Sequence, residues 1–133
     1  MTETSAENAP ATLLYVEDEI LIQDAVETAL REAGFDVVVA SDGDEAIAAL
    51  RDGHTFRGLV TDVNLGTGPD GWAVARVARE VTPGLPVVYL SGASAHQWTS
   101  QGVPQSVMVA KPFANTQVVV AIAGLLNTSD MPG

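Results

Sequence analysis

The chain has 133 residues, and 47% of them are hydrophobic, which suits one compact domain with its own core. Its formal net charge is −11, from 17 acidic and 6 basic side chains, so we predict no direct binding to DNA or RNA and none to an anionic membrane surface. Cysteine is absent, which excludes disulfides, thiolate metal ligands and cysteine nucleophiles.

Residues 1–11 are small and polar and lack the basic and apolar segments of a signal peptide, so we expect a flexible N-terminal tail. We place the folded domain at residues 12–127 and a C-terminal tail at residues 128–133. No segment approaches the roughly 18 consecutive apolar residues of a membrane span. These features predict a soluble, cytoplasmic protein.

The first predicted strand is the apolar run LLYV at residues 13–16, which stops at the acidic residues 17–19. From residue 20 onward, apolar side chains recur at steps of three and four residues, the spacing of a helix that buries one face. Gly34 follows the last of them, at the position where glycine commonly ends a helix. The first unit is therefore a strand, an acidic loop and a helix.

The same order repeats in the next two units. Residues 35–40 (FDVVVA) predict a strand rich in β-branched side chains, and the polar residues 41–44 offer caps for the helix after it. Residues 58–62 (GLVTD) predict a strand buried on both faces, which ends in the carboxylate of Asp62. Asp70 is the expected N-cap of the helix that follows.

Two further strands complete the pattern. The fourth is predicted at residues 86–90 (PVVYL), and a short polar helix follows at residues 95–101. The fifth is predicted at residues 107–110 (VMVA), and a last apolar helix continues to residue 127. The connections are too short for anything but crossover helices, so the predicted fold class is α/β, with a five-stranded parallel sheet and helices on both faces.

Chemistry in such a fold collects at the carboxyl ends of the strands, where the winding direction reverses. The residues that follow strands one, three, four and five are Glu17 and Asp18, Asp62, Ser91, and Lys111. Three carboxylates in one crevice repel each other unless a cation lies among them, and Mg²⁺ is the expected cation because it prefers oxygen ligands and shares sites with phosphate. Lys111 and Ser91 suit the phosphate oxygens. The sequence therefore predicts a site for a metal-bound phosphoryl group.

The chain resembles the receiver domains of two-component response regulators over residues 12–127. The likeness is carried by Glu17-Asp18 after the first strand, Asp62 after the third, Ser91 after the fourth and Lys111-Pro112 after the fifth. It implies a flavodoxin-like, doubly wound (βα)5 fold with the strand order 2-1-3-4-5.

The resemblance also implies how the acidic residues act. Asp62 is the phosphoacceptor, which takes a phosphoryl group from the phosphohistidine of a sensor histidine kinase or a histidine phosphotransfer protein. Mg²⁺ is held directly by Asp62 and Asp18, mainly through water by Glu17, and by the backbone carbonyl of Asn64.

Lys111 and Ser91 are implied to act on the phosphoryl group itself. Lys111, which precedes a cis peptide bond to Pro112, pairs with Asp62 before the reaction and with phosphoryl oxygens after it. Ser91 moves to bond the phosphoryl group and so changes a surface that an unidentified downstream protein binds. Such a chain is a signalling phosphoacceptor rather than an enzyme in the usual sense, although it catalyses its own aspartyl phosphorylation and dephosphorylation.

Two features depart from the family pattern. The loop after Asp62 carries Gly66 where receivers commonly have proline, and it is about one residue longer than usual. Met108 stands three residues before Lys111, where receivers commonly carry the aromatic residue of the switch. A receiver-like adaptor that works without phosphorylation therefore remains the alternative function.

Rival enzymes and cofactor proteins with similar folds fit the sequence less well. A phosphatase of the haloacid dehalogenase type would normally place its nucleophile after the first strand, with a second aspartate two residues on, where this chain has Asn64 after Asp62. A flavodoxin-type protein needs a Ser/Thr/Gly-rich phosphate loop after the first strand, and this chain has acidic residues 17–19 there.

The histidines and tryptophans carry no predicted chemistry. His54 and His96 lack a second ligand at metal spacing, and we expect both at the surface. Trp72 and Trp98 are interpreted as packing residues, with Trp98 also open to a role as a partner anchor.

Overall fold

The computed structural model describes residues 10–129 as one five-stranded sheet with helices on both faces. All strand pairs are parallel and the strand order is β2-β1-β3-β4-β5, which confirms the predicted flavodoxin-like topology. Most of the predicted N-terminal tail, residues 1–9, lies outside the described residues. The elements are β1 (Thr12–Val16), α1 (Ile20–Glu32), β2 (Asp36–Ala40), α2 (Gly43–Arg51), β3 (Gly58–Asp62), α3 (Gly71–Val81), β4 (Val87–Ser91), a 3-10 turn (Ala95–Gln97), α4 (Trp98–Gln101), β5 (Val107–Ala110) and α5 (Asn115–Ser129).

Several element ends differ from the prediction by one or two residues, among them the ends of β4 and α5. Ser91 is the last residue of β4 rather than the first residue after it, because pairing with β5 continues and the Lys111 N–H donates to the Ser91 carbonyl at 2.9 Å. Helix α5 continues to Ser129, two residues beyond the predicted end of the domain at residue 127, and residues 130–133 of the predicted tail lie outside the described residues. The Thr128 hydroxyl donates to the Gly124 carbonyl at 3.0 Å, which is a contact within the last helical turn that apolar spacing does not reveal.

The core lies in two layers, one on each face of the sheet. Alternate side chains of each strand point to opposite faces, so β1 sends Leu14 to one layer and Leu13 to the other. Helices α2 and α3 cover the first layer, and α1 and α5 cover the second. The central strand β3 is buried along its whole length, as its apolar sequence predicted.

Helices α2 and α3 begin at the caps that the sequence indicated. The Asp42 carboxylate accepts from the Glu45 N–H at 2.7 Å, and the Asp70 carboxylate accepts from the Ala73 N–H at 2.9 Å. The predicted polar helix after β4 is present as the 3-10 turn followed by the single turn of α4. Between residues 10 and 129, no helix combines the length and the apolar character that crossing a membrane requires.

Candidate functional site

Three carboxylates meet at the carboxyl end of the sheet. Strands β1 and β3 are neighbours, with Val16 opposite Thr61. The next residues, Glu17 and Asp62, therefore also come together. One oxygen from each of Glu17, Asp18 and Asp62 can be chosen such that all three lie within 4.8 Å of one another. Glu17 is fully buried, Asp62 is 3% exposed, and Asp18 is open to solvent. The site is therefore acidic at its base and accessible at its rim.

Lys111 reaches this cluster from the edge of the sheet. Its ammonium Nζ donates to Asp62 Oδ2 at 3.0 Å, and the two groups form an ion pair with little solvent exposure. Burial acts to lower the pKa of Lys111, but the hydrogen bond to Asp62 and the negative charges around it outweigh burial and raise the pKa. Lys111 therefore stays protonated and neutralises part of the acidic charge. The Lys111–Pro112 peptide bond is cis, as the resemblance implied.

Glu17 is a buried carboxylate with a raised pKa. Burial first, and then the negative charge of Asp62, raise the pKa of Glu17 to about 8, although Lys111 and the Glu19 N–H oppose the shift. Its Oε2 accepts from the Glu19 N–H at 3.3 Å, whereas its Oε1 is buried without a hydrogen-bond partner among the described residues. An unpaired, buried carboxylate oxygen beside two further carboxylates fits a hard divalent cation such as Mg²⁺.

Ser91 lies on the strand next to Asp62. Strands β3 and β4 pair with Asp62 opposite Leu90, which places the fully buried Ser91 one residue further along the rim. Its hydroxyl oxygen accepts from the Ser94 N–H at 3.2 Å, and the Ser94 hydroxyl in turn donates to Asn64 Oδ1 at 3.4 Å. The structure thus brings Ser91 and Asn64 to the same rim as the carboxylates, joined through Ser94, which the sequence did not single out.

The turn from β3 into α3 holds Asp62 from behind. The Val63 N–H donates to the Leu90 carbonyl at 3.1 Å, and the Gly71 N–H donates to the Val63 carbonyl at 2.8 Å. A Cβ at Gly71 would overlap the Asp62 carbonyl, so only glycine allows α3 to start this close to the strand end. The longer loop between them adopts positive φ at Gly66 and Gly68, conformations that glycine reaches without strain. Sequence inspection missed Gly71, although its place directly after the Asp70 cap marks the first helical residue.

Tyr15 is a third residue near the site that the sequence did not indicate. It reads as part of an apolar strand, and its ring is indeed buried in the layer beneath α1 and α5. Burial first, and then the negative charges of Glu17 and Asp62, raise the pKa of the Tyr15 hydroxyl. The available signal was the two-residue spacing from Glu17, because residues at that spacing share one face of a strand.

The residue opposite Met108 on the neighbouring strand β4 is aromatic. Met108 is opposite Tyr89 and is only partly buried. Tyr89 is fully buried, its ring centroid lies 4.6 Å from that of Trp72, and its hydroxyl accepts from the Val103 N–H at 3.0 Å. Tyr89 thereby ties β4 to the segment between α4 and β5.

The other histidine and tryptophan predictions agree with the structure. His54 and His96 are exposed, and His54 Nε2 lies 3.6 Å from a carboxylate oxygen of Asp52. Trp72 is a buried packing residue. Trp98 is 37% exposed, and its Nε1–H donates to the Ser106 hydroxyl at 2.9 Å, so part of the ring packs and part faces solvent.

Sequence comparison places the chain in one family. A family model of the response regulator receiver domain matches residues 13–123, which is most of the chain. The chain belongs to the response regulator receiver domain family. Receiver domains of this family interact with histidine kinases in two-component signalling.

Individual relatives extend this comparison. A crystal structure of a response regulator receiver protein from Sinorhizobium medicae WSM419 is 43% identical, has a TM-score of 0.88, and is covered over 98% of its length by 91% of this chain. The Vibrio cholerae chemotaxis response regulator CheY4 is 25% identical with a TM-score of 0.76, over 87% of this chain and 98% of its own.

The curated relatives are longer proteins. "Probable transcriptional regulatory protein TcrX" of Mycobacterium tuberculosis is 36% identical over 125 residues, which are 91% of this chain and 52% of that protein. The chain therefore spans about half the length of the curated relatives it matches.

Proposed function

We propose that Asp62 accepts a phosphoryl group from the phosphohistidine of a sensor histidine kinase or a histidine phosphotransfer protein. The observation that carries the proposal is the surroundings of Asp62: a nearly buried carboxylate, 3.0 Å from the Lys111 ammonium and within 4.8 Å of two further carboxylates, at an otherwise open rim. Sites of this composition suit transfer of a charged phosphoryl group, because positive charge must offset the charge that builds up on its oxygens.

Mg²⁺ is the proposed cofactor, bound by Asp18, Asp62 and the backbone carbonyl of Asn64, with Glu17 acting mainly through water. The orphaned Glu17 oxygen and the mutual repulsion of the carboxylates support a cation at this place. When bound, the ion supplies charge neutralisation for the phosphoryl oxygens.

The chain's own residues account for the remaining chemistry. The Asp62 carboxylate attacks phosphorus, an O–P bond forms, and the P–N bond to the donor imidazole breaks with its electron pair returning to nitrogen. Lys111 keeps its proton and shifts its hydrogen bond from Asp62 to a phosphoryl oxygen. The Ser91 hydroxyl exchanges the Ser94 N–H for a phosphoryl oxygen, to which it donates. Later attack by water on phosphorus restores the Asp62 carboxylate and releases inorganic phosphate.

The phosphohistidine donor is proposed to bind beside Lys111. Helix α1 begins with Ile20 and Leu21, which are 75% and 87% exposed, directly after the acidic loop. Leu21 and Lys111 line one groove of about 540 Å³, together with Pro112 and Phe113. Because Lys111 belongs both to this groove and to the Asp62 site, a donor protein seated there would present its histidine to Asp62.

The output of phosphorylation is proposed to be a changed protein-binding surface around α4, β5 and α5. The net charge of −11, which belongs to the chain as a whole, supports contact with a protein rather than with DNA. The proposed setting of this reaction is the cytoplasm, and residues 12–127 are proposed to form the receiver domain, a length typical of one folding unit.

A second candidate is an adaptor that keeps the receiver fold and works without phosphorylation. Met108 favours it, because a thioether replaces the aromatic ring that receivers commonly use in the switch. The intact set of Asp62, Ser91 and Lys111 at one rim favours the phosphoacceptor.

Mass spectrometry after incubation with acetyl phosphate or phosphoramidate tests the proposal. With Mg²⁺ we expect a gain of one phosphoryl group, about 80 Da from the mass of HPO₃, on the native chain and on the exposed-acid control Asp24→Asn. EDTA and Asp62→Asn should each abolish the gain. An unphosphorylated native chain, with Mg²⁺ binding shown separately and beryllofluoride used to rule out a short-lived phosphate, would favour the adaptor.

A further inference from the structure

Two polar atoms beneath the acidic cluster are buried without partners. Among residues 10–129, neither the Tyr15 hydroxyl nor Glu17 Oε1 has a hydrogen-bond partner within the usual distance and angle limits. Both residues are fully buried. Buried polar groups are rarely left unpaired in folded proteins, because no water replaces the lost hydrogen bond. Each atom therefore needs a partner, and one is a donor where the other is an acceptor.

The chain places these two atoms on the same side of the sheet. Tyr15 lies in β1 and Glu17 directly follows it, and the Glu17 N–H continues the pairing with β2 by donating to the Ala40 carbonyl at 3.1 Å. Side chains two residues apart along extended chain share a face. Burial first, and then the neighbouring carboxylates Glu17 and Asp62, raise the pKa of the Tyr15 hydroxyl. The phenol therefore keeps its proton and remains a hydrogen-bond donor.

We propose that Tyr15 is a positioning residue for the metal-binding cluster, whose hydroxyl donates a hydrogen bond to Glu17 Oε1. This inference rests on the proposed Mg²⁺-dependent function of the site. With Tyr15 on one oxygen and the Glu19 N–H on the other, the Glu17 carboxylate is held at both ends. Each carboxylate oxygen retains a second lone pair, which faces the cation or its bound water.

A phenol suits this place better than a charged donor. Lys111 already supplies positive charge to Asp62, and a second cationic side chain under Glu17 would compete with a divalent metal for the same oxygens. The Tyr15 hydroxyl orients the ligand without adding charge. Hydrogen bonds from residues behind a ligand commonly change metal affinity by tenfold or more, although the residues themselves touch no metal.

The variant Tyr15→Phe tests the proposal because it removes the hydroxyl and keeps the ring. We expect it to raise the dissociation constant for Mg²⁺ about tenfold. Tryptophan fluorescence and amide chemical shifts during a Mg²⁺ titration measure this constant. The matched control is Tyr89→Phe, which also removes a buried phenol hydroxyl but lies in the layer under α2 and α3. Its Mg²⁺ affinity should equal that of the native chain. Native affinity in a folded Tyr15→Phe variant would overturn the proposal.

A double-mutant cycle on the metal-free protein tests the contact without Mg²⁺. Tyr15→Phe should lower the folding equilibrium constant in the native background and leave it equal or higher in the Glu17→Met background, a difference of about threefold or more. Additive effects would overturn the proposed hydrogen bond. Should the native chain itself fail to bind Mg²⁺, the proposed function fails, and this cycle still decides whether Tyr15 and Glu17 are paired.

Discussion

Glu17 is a buried carboxylate whose surroundings favour its neutral form in the absence of a cation. Its pKa of about 8 results mainly from burial, with a further contribution from the negative charge of Asp62. The ordinary carboxyl value of 4.5 applies to the unfolded chain. Between these values the native state holds a proton that the unfolded state has released, so ionising Glu17 costs folding free energy.

The free energy of unfolding of the metal-free protein should therefore fall as the pH rises from about 4.5 to about 8. Above that range Glu17 is fully ionised and causes no further loss. Glu17→Gln removes the titrating group, so we expect its free energy of unfolding to fall less over this range, by on the order of 1–3 kcal/mol. Urea unfolding in EDTA at about pH 5.5 and at about pH 8.5 measures the difference. The first pH lies about one unit above the ordinary pKa of Glu17 and the second just above its raised pKa. Exposed Glu32→Gln is the control, and equal pH dependence in all three proteins would contradict the prediction.

At the scale of elements, the site depends on how closely α3 follows β3. Gly71 lies against the Asp62 carbonyl and the Val63 Cα, with no room for a methyl group. The position of the phosphoacceptor is thus coupled to the packing of a helix start, and not only to the strand that carries it.

Gly71→Ala should destabilise the protein by about 1–3 kcal/mol, because the added Cβ must displace backbone atoms. Gly124→Ala is the matched control, since Gly124 lies within α5 and its Cβ would meet nothing within 4 Å. There the substitution should stabilise the helix by up to about 1 kcal/mol. Denaturant unfolding of both variants measures the contrast, and a neutral Gly71→Ala would show that the turn can relax.

The exposed start of α1 makes a separate prediction about the phosphohistidine donor. Leu21→Arg should slow phosphoryl transfer from a labelled histidine kinase that phosphorylates the native chain, by about tenfold or more, because a charge replaces an apolar contact. Phosphorylation by acetyl phosphate should not change, because the small donor needs no groove. Val120→Arg, which places the same charge at an exposed apolar position of α5, should leave both rates unchanged. Equal transfer to both variants would place the donor elsewhere.

At the scale of the whole molecule, a net charge of −11 gives a long-range repulsion that any salt weakens. A specific cation site adds stability by mass action, beyond this general screening. General screening depends on ionic strength alone, whereas a specific site depends on the type of cation and on the individual carboxylates that bind it.

MgCl₂ should therefore raise the thermal unfolding midpoint more than NaCl of equal ionic strength does. The expected difference is a few degrees, which corresponds to about 1 kcal/mol of stability for a chain of this size. Asp18→Asn should lose the extra increase and keep the response to NaCl, and exposed Asp24→Asn should behave like the native chain. Scanning fluorimetry in both salts gives the comparison. Equal midpoints in the two salts would argue against a Mg²⁺ site in the resting protein.

The sequence alone determined the parallel α/β fold and the side chains at the carboxyl end of its sheet. Both depend on local signals: the change from strand to helix periodicity, the caps at Asp42 and Asp70, and polar residues directly after apolar strands. The ends of β4 and α5 were less accurate, because pairing of Ser91 with β5 and the Thr128 hydrogen bond are absent from the apolar pattern.

Only the tertiary structure decided how these side chains meet. The 3.0 Å ion pair joins Lys111 and Asp62, which are 49 residues apart in the chain. The burial that raises the pKa of Glu17, the fit of Gly71 and the burial of the Tyr15 hydroxyl depend on layers packed from distant segments. A sequence pattern reports which face a side chain takes, whereas distance, desolvation and hydrogen-bond pairing are set by what the rest of the chain packs against it.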